Sequence, residues 1–200
     1  TLPKNIIVSS YYCAGGPYAP AWERDFPRLQ AHGTDFFAQA WIGSHLRLIP
    51  SPQHAADFSD KEVTRGLQYG ALGSISTDWG DDGHYHFVGQ NWFTFLYHGA
   101  CAWAGEGLDR DYFNEAYSRL IHGATDGNIA RAFCLSGDIS NQTIKTVQDD
   151  GTVTDAPSTH FWEFFGDPFT HKSLTAMSEP GAEGARILKQ ADEAVAMLQG

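Results

Sequence analysis

Carboxylates, histidines and a tryptophan stand close together in residues 75–86, which read ISTDWGDDGHYH. A short β-branched run leads to Asp78 and Trp79, and a glycine-broken segment then carries two more aspartates and two histidines. A helical pattern of aromatic residues follows. In α/β proteins, side chains at the carboxyl ends of parallel strands converge on one face of the sheet. This order of strand, polar loop and helix therefore predicts a ligand site.

Sugar binding is the first chemistry that these residue types allow. The indole of Trp79 offers a flat apolar surface to the C–H face of a sugar ring. Asp78 and Asp81 are suited to accept hydrogen bonds from sugar hydroxyls. Structural roles compete with these, because a tryptophan can belong to the core and an aspartate can cap a loop.

Two other chemistries stay open for the same segment. His84 and His86 are spaced as two ligands of a metal-dependent barrel hydrolase would be. Asp81 and Asp82 are an alternative acid and base pair, although carboxylates adjacent in sequence usually point apart.

The composition limits the class of protein. The 200 residues are 42% hydrophobic and 18% charged, as in a folded globular chain. A net charge of −11 without a lysine or arginine cluster argues against nucleic-acid binding. No apolar run reaches the roughly 20 residues of a membrane helix. Three cysteines without a short C-x-x-C spacing argue against a disulfide scaffold and against a cysteine-bound zinc.

Three apolar runs predict strands, and helical patterns separate them. The predicted strands are 5–11, 34–41 and 74–78, and the predicted helices are about 22–32, 59–69, 90–104, 112–121, 128–135 and 180–198. The helix at 59–69 is expected to open on the capping box of Ser59 and Glu62, after an irregular segment at 45–58. In the helix at 90–104, the packing face is expected to hold Trp92, Phe95, Leu96 and Trp103. A loop at 136–158, with a hairpin at Asp150-Gly151, and a short helix at 158–165 complete the prediction.

Helical crossovers between the three strands predict a parallel sheet. Such a sheet has two open edges, which proteins usually avoid, so we expect the last strands of a longer (β/α) barrel whose first part lies upstream. A start at Thr1 agrees with an excised piece. The expected fold class is α/β, with residues 1–110 as the C-terminal part of a TIM barrel and residues 111–200 as a helical extension packed on the same domain.

These residues resemble the C-terminal half of the catalytic barrel of glycoside hydrolase family 20, the β-N-acetylhexosaminidases, and most closely their divergent bacterial branch. The resemblance is carried by a strand ending in a tyrosine pair, a second strand ending in Trp41, the string GSISTDWGDDGH at 73–84 and a helix ending in GACAW at 99–103. It covers roughly residues 1–110. It implies that the three strands are the sixth, seventh and eighth of the barrel.

The resemblance implies hydrolysis of terminal β-linked N-acetylhexosamine by a substrate-assisted retaining mechanism, without metal or organic cofactor. It implies that Trp79 walls the pocket around the N-acetyl group and that Asp81 binds sugar hydroxyls. Trp41 and a tyrosine of the first strand would line the same mouth. The implied sugar-binding residues are Trp79, Asp81, Asp78, Trp41, Tyr11, Tyr12 and His84.

The catalytic Asp-Glu pair of this family stands at the end of the fourth strand, which this chain does not contain. Asp192-Glu193 is the one such dipeptide here, and it lies in a predicted terminal helix, so the family's role is not carried over to it. The segment is therefore expected to be inactive alone and to need the N-terminal remainder of the barrel. A non-catalytic carbohydrate-binding module and a metal-dependent hydrolase stay as alternatives.

Overall fold

The computed structural model describes residues 3, 5–11, 21–45, 47, 49–80, 86–139, 143–147, 151–157 and 182–199. The strands in these ranges are β1 (Val8–Tyr11), β2 (Phe36–Trp41), β3 (Gly73–Thr77), β4 (Thr143–Val147) and β5 (Val153–Pro157). The helices are α1 (Ala21–His32), α2 (Pro52–Gln68), α3 (Trp92–Ala104), α4 (Arg110–His122), α5 (Asn128–Ile139) and α6 (Ala182–Gln199). A 3-10 turn, Val88–Asn91, leads into α3. None of the helices in this part of the chain has the length and apolar character that a membrane span requires.

The first three strands form a parallel sheet in the order β1-β2-β3. The predicted parallel β-α-β-α-β unit is therefore confirmed, and the fold is mixed α/β. Because β1 and β3 are the outer strands, each has one edge without a strand partner in the described ranges. Membership of a larger barrel stays a prediction.

Helices α1 and α2 cover one face of this sheet. Side chains alternate along a strand, so β2 turns Phe36, Ala38 and Ala40 toward the helices and Gln39 away from them. The first three are buried in a core cluster. Its remaining buried members are Trp22, Phe26 and Phe58.

A second core joins α2 to the helices that follow the sheet. Phe93 of α3 meets Phe113 and Tyr117 of α4 edge-on, with ring centroids 5.3 and 4.9 Å apart. Val63 of α2 and Ala130 of α5 are buried in the same cluster. Helix α6 packs along α5. Helices α4 and α5 thus share a core with α2 and α3.

The prediction for the start of α2 is wrong. The helix begins at Pro52, preceded by Ser51, and residues 52–58 are helical rather than irregular. Proline suits the first helical turn because its missing N–H would have no partner there. Ser59 and Glu62 lie in the middle of the helix and are both buried, so they form no capping box.

The prediction for the packing face of α3 is also wrong. Phe93, Tyr97 and Cys101 are buried, whereas Trp92 and Trp103 are exposed. Helix α3 is apolar on nearly all sides, so its hydrophobic periodicity is compatible with more than one buried face. The positions of α4 and α5 determine which of these faces is buried.

The predicted hairpin within residues 136–158 is confirmed. Strands β4 and β5 are antiparallel, and Gly151 in the connecting turn has a φ of 82°. The prediction of a loop from residue 136 is wrong at its start, because helix α5 runs to Ile139. The short helix predicted at 158–165 lies outside the described residues.

Candidate functional site

Two aromatic rings meet at the carboxyl end of the parallel sheet. Tyr11 ends β1, and Trp79 stands two residues after β3. Their ring centroids are 5.3 Å apart and their planes are tilted by 30°. Because β1 and β3 both pair with β2 and lie roughly 10 Å apart, the two rings must lean over β2 to touch. We call this pair the aromatic platform (Tyr11 and Trp79).

Hydrogen bonds hold the indole of Trp79 in place. Its Nε1 donates to Thr77 Oγ1 at 3.2 Å, and that hydroxyl donates to the carbonyl oxygen of Ala40 at 3.1 Å. Trp79 is nevertheless 37% exposed, so part of its ring is open to a ligand. An oriented and partly exposed aromatic ring is suited to stack on an apolar face of a small molecule.

The sheet face below the platform is partly polar. Ser9 Oγ donates to Gln39 Oε1, which joins β1 to β2 on this face. Ser9 and Ile75 are exposed, while α1, α2 and α3 pack on the opposite face. Parallel sheets are normally covered on both faces, so this face is where a ligand or further polypeptide is expected.

Asp78 connects the elements around the platform. One of its carboxylate oxygens accepts a hydrogen bond from Ser44 Oγ, and the other accepts from Asn91 Nδ2 at 2.7 Å. Ser44 belongs to the segment after β2, and Asn91 is a buried residue at the start of α3. Asp78 therefore holds the segment after β2 and the start of α3 against the end of β3.

Trp41 has a packed position. It ends β2, is buried, and meets the ring of His54 edge-on at 5.8 Å. The guanidinium of Arg47 lies 5.4 Å from its ring centroid, and burial lowers the pKa of Arg47 to about 10. Trp41 supports the end of the sheet, whereas Trp79 offers an open surface.

Tyr12, Asp81 and His84 lie outside the described residues, so their part in sugar binding stays a prediction. His86 is buried, and its Nδ1 lies 3.0 Å from the backbone oxygen of Arg47. Within the ranges described above, no three or more His, Cys, Asp or Glu residues form a group that could hold a metal ion. The metal-dependent hydrolase remains a hypothesis.

A buried polar layer under the sheet was missed by the sequence analysis. Glu62 is fully buried in α2, and its Oε1 accepts a hydrogen bond from the backbone N–H of Gln39 at 2.7 Å. Burial raises the pKa of Glu62 to about 9, although the Gln39 hydrogen bond opposes that change. The sequence signal for this buried carboxyl is a glutamate within the apolar stripe of a helix. The pattern Ser59-x-x-Glu62 instead predicted a capping box at a helix start.

His98 belongs to the same layer. Its Nε2 lies 2.9 Å from Ser74 Oγ of β3, and its Nδ1 lies 3.3 Å from Ser59 Oγ of α2. Burial lowers the pKa of His98 to about 4. Both titratable groups lie on the helix-covered face, away from the aromatic platform.

Comparisons with known proteins identify no relative of this chain. No family model matches it, and neither a curated protein nor a solved structure does so. Of the predicted sugar-binding residues that are described, the structure brings Tyr11 and Trp79 into contact, with Asp78 adjoining Trp79 in sequence and Trp41 packed to one side. The function is therefore argued from the platform and its surroundings.

Proposed function

We propose that this chain supplies the sugar-binding half of a glycoside hydrolase that removes terminal β-linked N-acetylhexosamine. The observation that carries the proposal is the aromatic platform, a pair of touching rings held at the carboxyl end of a parallel sheet. In α/β barrels, that end of the strands forms the substrate site. A sugar ring combines an apolar C–H face with hydroxyls, and the platform borders a sheet face that carries both apolar and polar side chains.

The proposed mechanism is substrate-assisted. The 2-acetamido oxygen of the sugar attacks its own anomeric carbon as the glycosidic C–O bond breaks, while the aspartate of an Asp-Glu pair orients the amide and the glutamate protonates the leaving oxygen. Water then opens the cyclic intermediate at the anomeric carbon and releases the sugar with its configuration retained. In the proposal that pair lies in the N-terminal remainder of the barrel, and this chain alone is inactive. The contribution of Trp79 is to confine the acetamido group, since attack requires the oxygen to be held close to the anomeric carbon. No metal or organic cofactor takes part.

A non-catalytic carbohydrate-binding module is the second candidate. The platform favours it equally, because stacking by itself gives affinity and no chemistry. Both oxygens of Asp78 already accept hydrogen bonds from Ser44 and Asn91, which suits a structural carboxylate better than a catalytic one.

The proposal is tested with Trp79→Ala in the complete protein. Turnover of an aryl β-N-acetylglucosaminide is expected to fall at least about 100-fold, because loss of the ring frees the reacting group to adopt unproductive positions. Tyr112→Ala is the matched control, since Tyr112 is an exposed aromatic residue on α4. Its turnover is expected to stay within about twofold of the parent. A Trp79→Ala enzyme with near-parental turnover would remove Trp79 from the site.

Two further measurements separate the alternatives. Binding of N-acetylglucosamine by the complete protein without any hydrolysis of the aryl glycoside would favour the binding module. Loss of hydrolysis after treatment with a chelator, with recovery on adding zinc, would favour the metal-dependent hydrolase.

A further inference from the structure

A row of polar side chains on β3 faces a row of polar side chains on α3. Ser74 Oγ lies 2.9 Å from His98 Nε2, and Asp78, which follows β3, accepts a hydrogen bond from Asn91 Nδ2 at 2.7 Å. Ser76 stands between Ser74 and Asp78, and alternation along the strand turns its side chain to the same face. We call these two rows the polar seam, which consists of Ser74, Ser76, Asp78, Asn91, Thr94 and His98.

The two rows run in opposite directions over a similar length. The row on β3 spans four residues, or roughly 13 Å, and the row on α3 spans seven residues, or roughly 10 Å. Thr94 lies one helical turn before His98, so it is the residue of α3 that stands opposite Ser76. Thr94 is buried, and its hydroxyl donates to the backbone oxygen of Asn91 at 2.9 Å.

Two buried atoms in the middle of the seam have no hydrogen-bond partner among the described residues. They are Ser76 Oγ and Asn91 Oδ1. Turning the Asn91 amide over would not help, because the carboxylate of Asp78 accepts hydrogen bonds and therefore fixes Nδ2 as the atom that faces it. Asn91 is 1% exposed, so bulk solvent does not reach its oxygen. Buried polar atoms without a partner are rare in folded proteins, because each one loses the hydrogen bonds that water gives it in the unfolded chain.

One water molecule can satisfy both atoms and also bind Thr94. A buried water typically makes about three hydrogen bonds. It would accept from the Ser76 hydroxyl and donate to Asn91 Oδ1 and to Thr94 Oγ1, whose own hydrogen is already bonded to a backbone oxygen. A water also joins polar atoms that stand too far apart for a direct hydrogen bond. The three groups are neutral, so they suit water better than an ion.

We propose that an ordered water molecule binds at this point of the seam, between β3 and α3, and that the completed seam positions Trp79. Asn91 holds the carboxylate of Asp78, and Asp78 is the residue before Trp79 in the chain. Asn91 is therefore a positioning residue for the aromatic platform, because it fixes the backbone from which the indole projects. The inference goes beyond the proposed function, since it holds whichever ligand the platform takes.

The water is tested by crystallography of the complete protein. At about 1.5 Å resolution, density for one water is expected within hydrogen-bonding distance of Ser76 Oγ, Thr94 Oγ1 and Asn91 Oδ1. Thr94→Val removes the hydroxyl and nearly keeps the shape of the side chain, so the density is expected to weaken or disappear. Thr94→Ser keeps the hydroxyl and is expected to keep the water. A direct hydrogen bond between Ser76 and Asn91, or a well-ordered seam without this density, would overturn the inference.

The effect on Trp79 is tested by fluorine NMR of the complete protein. All tryptophans are replaced by 5-fluorotryptophan, and the Trp79 signal is identified as the one missing from Trp79→Phe. Ser76→Ala is expected to shift or broaden this signal, and Asn91→Ala is expected to do so more strongly. Ser136→Ala is the matched control, because the Ser136 hydroxyl donates to the Ala132 oxygen within α5 at 2.8 Å. An unchanged Trp79 signal in both seam variants would remove the positioning role.

A double variant shows whether the two atoms share one water. The melting temperatures of Ser76→Ala, Asn91→Ala and the combined variant are compared with that of the parent. Groups that bind the same water are coupled, so the combined variant is expected to lose less than the sum of the two single losses. A loss equal to that sum would overturn the bridge. Ser76→Ala combined with Thr94→Val gives the same comparison if Asn91→Ala fails to fold.

None of these measurements involves a sugar. A bridged seam in a protein that hydrolyses no glycoside would refute the proposed function alone, and hydrolysis by a protein whose seam holds no water would refute this inference alone.

Discussion

Glu62→Gln tests whether a protonated carboxyl is built into the core. Glu62 is fully buried on α2, and its one hydrogen-bond donor among the described residues is the backbone N–H of Gln39, at 2.7 Å. Burial raises the pKa of Glu62 from its ordinary value of 4.5 to about 9. The folded protein therefore keeps the proton at neutral pH, while the unfolded chain releases it.

The sign and size of the effect follow from this difference. Between pH 4.5 and 9 the folded state binds up to one proton more than the unfolded state, so the free energy of unfolding falls by about 1.4 kcal/mol per pH unit as pH rises. The contribution of the protonated Glu62 carboxyl to stability is fully present below pH 4.5 and is lost progressively as pH rises to 9. Glutamine has no such dependence and can still accept from Gln39. Relative to the parent, Glu62→Gln is expected to gain on the order of 1 kcal/mol at pH 5 and about 3 kcal/mol at pH 7.

The assay is urea unfolding of the parent and the variant at pH 5, 6, 7 and 8. The difference between their free energies of unfolding is expected to widen steadily with pH. Glu106→Gln is the matched control, because Glu106 is exposed in the turn after α3, and its curve is expected to run parallel to the parent. A constant difference between Glu62→Gln and the parent across this range would refute the reasoning.

The remaining predictions concern the helix interfaces and the buried histidine. A Cβ on Gly137 would lie 2.3 Å from Pro52 Cδ and 2.4 Å from the Pro50 oxygen, so Gly137→Ala is expected to destabilise the fold by about 2–3 kcal/mol in thermal unfolding. Gly99→Ala also lies within a helix, but its added Cβ would stand in open space, so this variant is expected to be more stable than the parent by up to about 1 kcal/mol. A change of the same sign in the stability of Gly137→Ala and Gly99→Ala would contradict the assigned packing. The pKa of His98 is lowered to about 4 by burial, so its contribution to stability is present above pH 6.5 and is lost as pH falls toward 4. Its ring is expected to be neutral at pH 5.5 by NMR, and a titration midpoint near 6.5 would show that the ring is not sealed between α2 and β3.

The sequence by itself determined the order and direction of the main elements. Apolar runs separated by helical patterns predicted β1, β2 and β3 and their parallel arrangement, because a helical crossover returns the chain in the same direction. The Asp150-Gly151 dipeptide predicted the hairpin, because such a turn favours a glycine with a positive φ. Gly151 has that conformation in the structure. Trp79 was placed at the carboxyl end of a strand from its neighbours alone.

Only the tertiary structure decided which side of each element is buried. Helix α3 is apolar around most of its circumference, so contacts with α2, α4 and α5 chose Phe93 and Tyr97 for the core and left Trp92 and Trp103 exposed. The same holds for the candidate site. Tyr11 and Trp79 are 68 positions apart, and their contact depends on how β1 and β3 flank β2, which no local pattern contains. Local periodicity records the conformation of a segment, but burial depends on which distant segment comes to lie against it.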